Sequence, residues 1–151
     1  MSEAARSSGR HGEKLIEAAN AAALALGVAM VHKVPTPSTM RAGKQVFTSK
    51  STVDYVGVML DGSGRAVALE AKAISDTKLY LTRVAPHQRA YLDRVAGAGG
   101  VAVLGVIDSR WQVYDVPWVE VSTCASLSLV DLEPYAATPR TWLRRFCKEP
   151  R

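Results

Sequence analysis

The fold turns on one stretch: Thr52-Val53-Asp54-Tyr55-Val56-Gly57-Val58-Met59-Leu60, then Asp61-Gly62-Ser63-Gly64, then Arg65-Ala66-Val67-Ala68-Leu69-Glu70-Ala71-Lys72-Ala73. Two apolar runs joined by a glycine-rich turn read as a β-hairpin. Each run carries charge where apolar side chains are expected: Asp54 in the first, Glu70 and Lys72 in the second. Burying a charge is costly unless it is paired or bound to a metal. Alternation along a strand puts Glu70 and Lys72 on one face and Ala71 on the other, with Ala66 and Ala68 leaving space beside them. The side taken by Asp54 depends on the turn. A two-residue loop at Gly62-Ser63 would pair Asp54 with Ala71, on the wrong face. A three-residue loop Gly62-Ser63-Gly64, with Gly64 left-handed, pairs Asp61 with Arg65 and Asp54 with Lys72. That register, or a bulge of the same effect, is the expected one, because it gathers Asp54, Glu70 and Lys72 on a single face.

Two carboxylates are oxygen ligands of the kind Mg²⁺ or Mn²⁺ prefers, rather than a zinc set. A hard cation there could polarise a phosphodiester and activate a water, with Lys72 stabilising the charge that develops. The same residues also fit a structural Asp–Lys or Glu–Lys pair on a solvated sheet face, and spacing alone does not separate the two.

The chain has 151 residues, 48% hydrophobic and 22% charged, which suits one soluble domain with a real core. A formal charge of +5 favours an acidic partner without choosing between nucleic acid and an anionic membrane. The two cysteines, Cys124 and Cys147, make no disulfide framework and no metal-ligand spacing. The apolar run Ala18 to Val31 is too short to span a bilayer and is interrupted by Asn20, so a cytoplasmic protein without a membrane role is expected.

Outward from the hairpin, residues 1–8 are small and polar and are expected to be mobile; residues 9–151 are expected to form one domain. Gly9 to Leu26 has a helical apolar stripe, Leu15, Ala19, Ala22, Ala23 and Leu26. Val28 to Val34 reads as a strand stopped by Pro35-Thr36-Pro37, and Ser38 to Lys50 as a polar, basic connector. Asp76 to Ala85 reads as a loop. Pro86 to Val95 reads as a helix with proline at its first position, and Val101 to Ile107 as a buried strand. Trp111 to Val116 reads as a further strand. Thr138-Pro139 is expected to open a last helix, with Trp142 and Phe146 packed and Arg140, Arg144, Arg145 and Lys148 on its basic side. Residues 119–137 give no clear pattern. The order predicts an α/β fold with a mixed central β-sheet flanked by helices.

At these residues the chain resembles the PD-(D/E)XK nuclease superfamily, and more narrowly the RecU-type Holliday junction resolvases. The matching pieces run in order: Gly12-Glu13 and Asn20; His32-Lys33-Val34-Pro35-Thr36-Pro37; Ser51-Thr52-Val53-Asp54-Tyr55-Val56-Gly57; Leu69-Glu70-Ala71-Lys72; His87-Gln88; and Gln112-Val113-Tyr114. A lone D…ExK occurs by chance in many proteins; the ordered set does not. The resemblance implies a restriction-endonuclease-like core. It implies Asp54, Glu70 and the carbonyl of Ala71 as ligands of Mg²⁺, with Mn²⁺ able to substitute. It implies Lys72 as the catalytic lysine, Glu13 as a further carboxylate of the metal shell acting through water, and Gln88 beside the lysine or the scissile strand. It implies a C2 homodimer that nicks a four-way DNA junction in paired positions and leaves 5′-phosphate ends. Lys33, Arg41, Lys44 and Lys50 around the connector, and Arg89 beside Gln88, are the candidate phosphate contacts. Other nucleases of the superfamily, and a non-catalytic module that binds branched DNA, remain alternatives. One departure is plain: the family's longer stalk between the PTP segment and the metal-binding aspartate is here only Ser38 to Lys50.

Overall fold

A computed structural model describes the chain over residues 3–47 and 52–149. Helix α1 (Glu3–Ala25) is followed by β1 (Ala29–Lys33), the pair β2 (Ser38–Arg41) and β3 (Lys44–Phe47), and then β4 (Tyr55–Met59) and β5 (Ala66–Ala73). Next come β6 (Lys78–Tyr80), α2 (Pro86–Gly97), β7 (Val101–Ile107), β8 (Val113–Pro117), α3 (Trp118–Val121), β9 (Ser126–Ser128), α4 (Leu129–Leu132) and β10 (Ala136–Ala137). Helix α1 starts at Glu3 rather than Gly9; of the segment expected to be mobile, Met1 and Ser2 lie outside the described residues.

Six strands form the main sheet, in the order β1-β4-β5-β7-β8-β10. Among the described residues, only β5 and β7 pair in parallel; the other pairs are antiparallel. The parallel pair needs a crossover, and α2 supplies it. This is the expected mixed α/β sheet flanked by helices. Both faces are covered. Ile16, Ala19 and Ala23 of α1 pack with Tyr55, Val67, Leu69, Val103, Ile107 and Trp142 on one face. Leu92 of α2 packs with Ala68, Leu104, Val106, Val116 and Trp118 on the other. That double cover explains why β7 is buried along its whole length and reads as an unbroken apolar run.

The β4–β5 register differs from the expected one by two residues. The last pair is Val58↔Ala66, Tyr55 lies opposite Leu69, and continuing the ladder one residue sets Asp54 opposite Glu70. The loop is wider because its donors are taken. The Leu60 N–H goes to the Val28 carbonyl at 2.9 Å, and the Asp61 carboxylate accepts the Ser63 N–H at 3.0 Å. Gly64 is left-handed, as expected, and so is Gly62. A shift of two preserves the face, so Asp54 and Glu70 still lie on the same side, with Tyr55 and Leu69 on the other.

Three further expectations are corrected. Of the connector, residues 38–47 form a β-hairpin turned by left-handed Ala42 and Gly43. The segment 76–85 contains β6, which pairs with β9, followed by a 3-10 turn, Leu81–Arg83. Residues after Thr138 form turns and one 3-10 turn, Arg144–Phe146, instead of a helix. There Trp142 is fully buried and donates its indole N–H to Asn20 Oδ1 at 2.9 Å, while buried Asp115 accepts the Leu143 N–H at 2.8 Å. These contacts hold Leu143 at φ 62°, which no helix allows.

Candidate active site

Strand β5 carries Glu70 into the interior and leaves Lys72 at its C-terminal end. Glu70 is 1% exposed. Its Oε1 accepts two hydrogen bonds: from Lys72 Nζ at 2.6 Å and from Gln88 Nε2 at 2.7 Å. Its Oε2 is buried and has no partner. Burial, and then the charge of Asp54, push the Glu70 carboxyl up to about 7 against the opposing hydrogen bond from Lys72. Asp54 is fixed from the other side: its Oδ2 accepts the Ala71 N–H at 2.9 Å, and its own carbonyl accepts the Val34 N–H at 2.8 Å.

Helix α2 places Gln88 through its own first turn. Pro86 opens the helix, and the Gln88 side-chain carbonyl accepts the Ala85 N–H at 2.9 Å. This satisfies a backbone donor just outside the helix. It also leaves the amide nitrogen free to point at Glu70. Gln88 therefore sits at the expected place but touches the carboxylate, not the lysine.

An orphaned, buried carboxylate oxygen beside a second carboxylate is an arrangement that a cation completes. The donor set is all oxygen, so the residues fit a hard divalent ion. Glu13, expected to act through water, lies on α1. It is exposed and paired with Lys33 Nζ at 3.1 Å. Among the described residues, no three Asp, Glu, His or Cys side chains gather as a metal-ligand group.

The candidate phosphate contacts divide. Arg41 and Lys44 face solvent at the tip of the β2–β3 hairpin. Lys50 lies outside the described residues. Lys33 is exposed but engaged by Glu13. Arg89 is not a free cation. Its guanidinium donates to the carbonyls of Val84 (3.1 Å), Ser122 (3.3 Å) and Leu81, and lies over the Trp118 ring. It braces α2 against the segments beside it, so the structure corrects its assignment to DNA. Sequence reasoning gave no role to the turn Asp108–Gln112, which closes the same end of the sheet: Ile107, just before it, pairs with Ala73.

A mixed sheet with an acid opposite the acid of an E-x-K strand defines a nuclease fold of the PD-(D/E)XK type. The solved structure of Archaeoglobus fulgidus Hjc, a Holliday junction resolvase from an archaeal hyperthermophile, shares this fold with a TM-score of 0.55 at 16% identity, over 85% of this chain and 96% of that one. The model of the RecU family, Recombination protein U, matches residues 7–127, and the chain belongs to that family. The Holliday junction resolvase RecU of Mycoplasmopsis pulmonis (strain UAB CTIP) is 32% identical over 68 residues, 45% of this chain and 41% of the relative. That of Streptococcus pneumoniae (strain Hungary19A-6) is 29% identical over 122 residues, 72% of this chain and 60% of the relative. The matched stretches thus span 41% to 60% of the length of these curated relatives.

Proposed function

We propose that this chain is a metal-dependent endodeoxyribonuclease that resolves four-way DNA junctions by paired nicks. It acts in the cytoplasm as a C2 homodimer, with residues 9–151 as its nuclease domain. The observation that carries the proposal is the Glu70 carboxylate: one oxygen held by Lys72 and Gln88, the other buried and open beside Asp54. Membership of the RecU family supports the choice of substrate.

Asp54, Glu70 and the Ala71 carbonyl would hold Mg²⁺ or Mn²⁺, which supplies Lewis-acid polarisation of the phosphate and an activated water. The Lys72 ammonium would stabilise the charge that the phosphoryl oxygens gain. Gln88 fixes the Glu70 rotamer, so the carboxylate needs no reorganisation when substrate arrives. Arg41 and Lys44 extend the positive surface along the hairpin; contacts of this kind position a backbone without reading its sequence. Twofold symmetry gives the two sites the relation that paired nicks require.

The test is incubation with mobile junctions, fixed junctions and linear duplex in Mg²⁺, with EDTA as control, and end-labelling of the products. Metal-dependent paired nicks in the junction, leaving 5′-phosphates, are expected. Equal cutting of linear duplex would point to another nuclease of the superfamily. Tight junction binding with no nicking in Mg²⁺ or Mn²⁺ would point to a non-catalytic binder.

A further inference from the structure

The turn Asp108–Gln112 presents an aromatic ring that the chemistry above does not use. Trp111 is 44% exposed, whereas Trp118 and Trp142 are 1% and 0% exposed. Its backbone is left-handed at φ 64°, a conformation costly for a bulky residue. The turn is built to hold it there. Asp108 Oδ1 accepts the Arg110 N–H at 2.9 Å and the Gln112 N–H at 3.0 Å, and the Asp108 carbonyl accepts the Trp111 N–H at 3.0 Å. Asp108 Oδ2 is held in turn by Arg110 and by the Tyr114 hydroxyl, at 2.8 Å each. The indole is braced by His11 of α1, with ring centroids 4.2 Å apart and planes at 67°.

Its place in the sheet matters as much as its exposure. Strands β5 and β7 run parallel, Lys72 beside Val106 and Ala73 beside Ile107. The turn that follows Ile107 therefore emerges at the same end of the sheet as Lys72, on the neighbouring strand. The ring stands on the α1 face of the sheet, where α1 packs with Ile107, and an exposed ring in a strained, over-determined backbone is what a stacking surface requires. The mostly exposed Arg110 guanidinium lies in the same turn, paired with Asp108.

We propose that Trp111, braced by His11, is a stacking platform for an unpaired nucleobase displaced at the end of the sheet that carries Lys72. This rests on the nuclease reading of the site and names a subsite of it. The ligand class is single-stranded DNA, or a junction with unpaired bases at its branch point, rather than fully paired duplex.

Because Trp111 is the exposed one of three tryptophans, its fluorescence reports on the platform directly. A thymine oligonucleotide, added without divalent metal, is expected to quench wild-type emission. Trp111→Gly is expected to lose that quenching and to bind the single strand about tenfold more weakly. Its affinity for linear duplex should stay within about twofold, and Trp111→Phe should stay near wild type. Glycine accepts a left-handed backbone without strain, so Trp111→Gly should unfold at the same or a higher temperature, which a merely structural tryptophan would not do. Unchanged wild-type fluorescence on binding the oligonucleotide, or equal losses on single strand and duplex, would overturn the proposal. Junction cleavage measured on the same preparation separates the two claims. A failed platform leaves cleavage intact, whereas a protein that never cuts overturns the proposed function while its quenching still scores the platform.

Discussion

Gln88 and Glu70 are joined by a single hydrogen bond of 2.7 Å that ties the start of α2 to the middle of the sheet. The same Gln88 side chain caps its own helix through the Ala85 N–H. One residue thus sets where a helix begins and how the Glu70 carboxylate is turned. Gln88→Ala should cost about 1 kcal/mol of stability through the lost cap and slow nicking at least tenfold. Junction affinity should stay within about twofold. Urea unfolding and single-turnover cleavage measure the two effects separately.

Asp54→Asn and Glu70→Gln should each reduce junction cutting below detection while gel-shift binding persists. Glu70→Gln carries a second expectation. It removes a buried charge with an unpartnered oxygen, so without divalent metal the variant should melt higher than wild type. Adding Mg²⁺ should raise the melting temperature of wild type and leave that of the variant in place. Lys72→Ala should lose rate far more than affinity.

Gly57 leaves no space for a side chain. A Cβ there would lie 1.9 Å from the Met30 carbonyl oxygen and 2.7 Å from Val31 Cα. Both neighbours are backbone, so the edge strand β1 itself would have to move. Gly57→Ala should cost about 3 kcal/mol. Hydrogen exchange should show the loss first in the β1–β4 ladder.

Burial by itself raises the Asp108 carboxyl, but the hydrogen bonds from Arg110, Tyr114 and two backbone amides win and hold it below its ordinary range. A carboxyl that binds its proton more weakly when folded stabilises the fold above its unfolded pKa of about 4, and that contribution is lost as pH falls through the folded value. Wild type should therefore lose stability on acidification more steeply than Asp108→Asn. Unfolding curves collected from pH 7 down to pH 2.5 would show parallel slopes if Asp108 carried no such contribution.

Junction binding should weaken steeply with salt, because each neutralised phosphate releases counterions. Arg41→Ala and Lys44→Ala should each lower the slope of log affinity against log salt by about 1. Arg89→Ala should leave that slope unchanged and lower stability instead, since its donors are spent on carbonyls within the fold.

The parts of this fold legible in the sequence are those where local pattern and burial agree. Val101 to Ile107 reads as a buried strand because both of its faces are covered. Pro86 opens α2 because that position needs no donor. The shared face of Asp54 and Glu70 was legible only through the choice of a wider turn, since a two-residue loop would have reversed it. The register was not, because the loop is set by Asp61 and by Val28, residues whose tertiary partners no local pattern names. The β2–β3 hairpin is exposed on both faces, so it shows none of the one-sided alternation that marks a half-buried strand. The false helix after Thr138 has a helical spacing of Trp142, Leu143 and Phe146, but Asn20 and Asp115, far away in sequence, decide its shape. Arg89 looked available for DNA because sequence shows the charge and not the carbonyls that surround it.

Trp142, seated beneath the sheet, separates two boundaries that are easily taken as one. The stretch recognised as RecU ends at residue 127, yet the indole that meets Asn20 comes from beyond it. Emptying that position would open a cavity worth about 3–5 kcal/mol, a large fraction of a small domain's margin. A version trimmed to the recognised stretch would keep every residue of the proposed chemistry and lose the means to hold them in place. Anyone building a minimal enzyme on this scaffold should retain the chain through Lys148, whose backbone N–H is clasped by Asp61 at 2.7 Å.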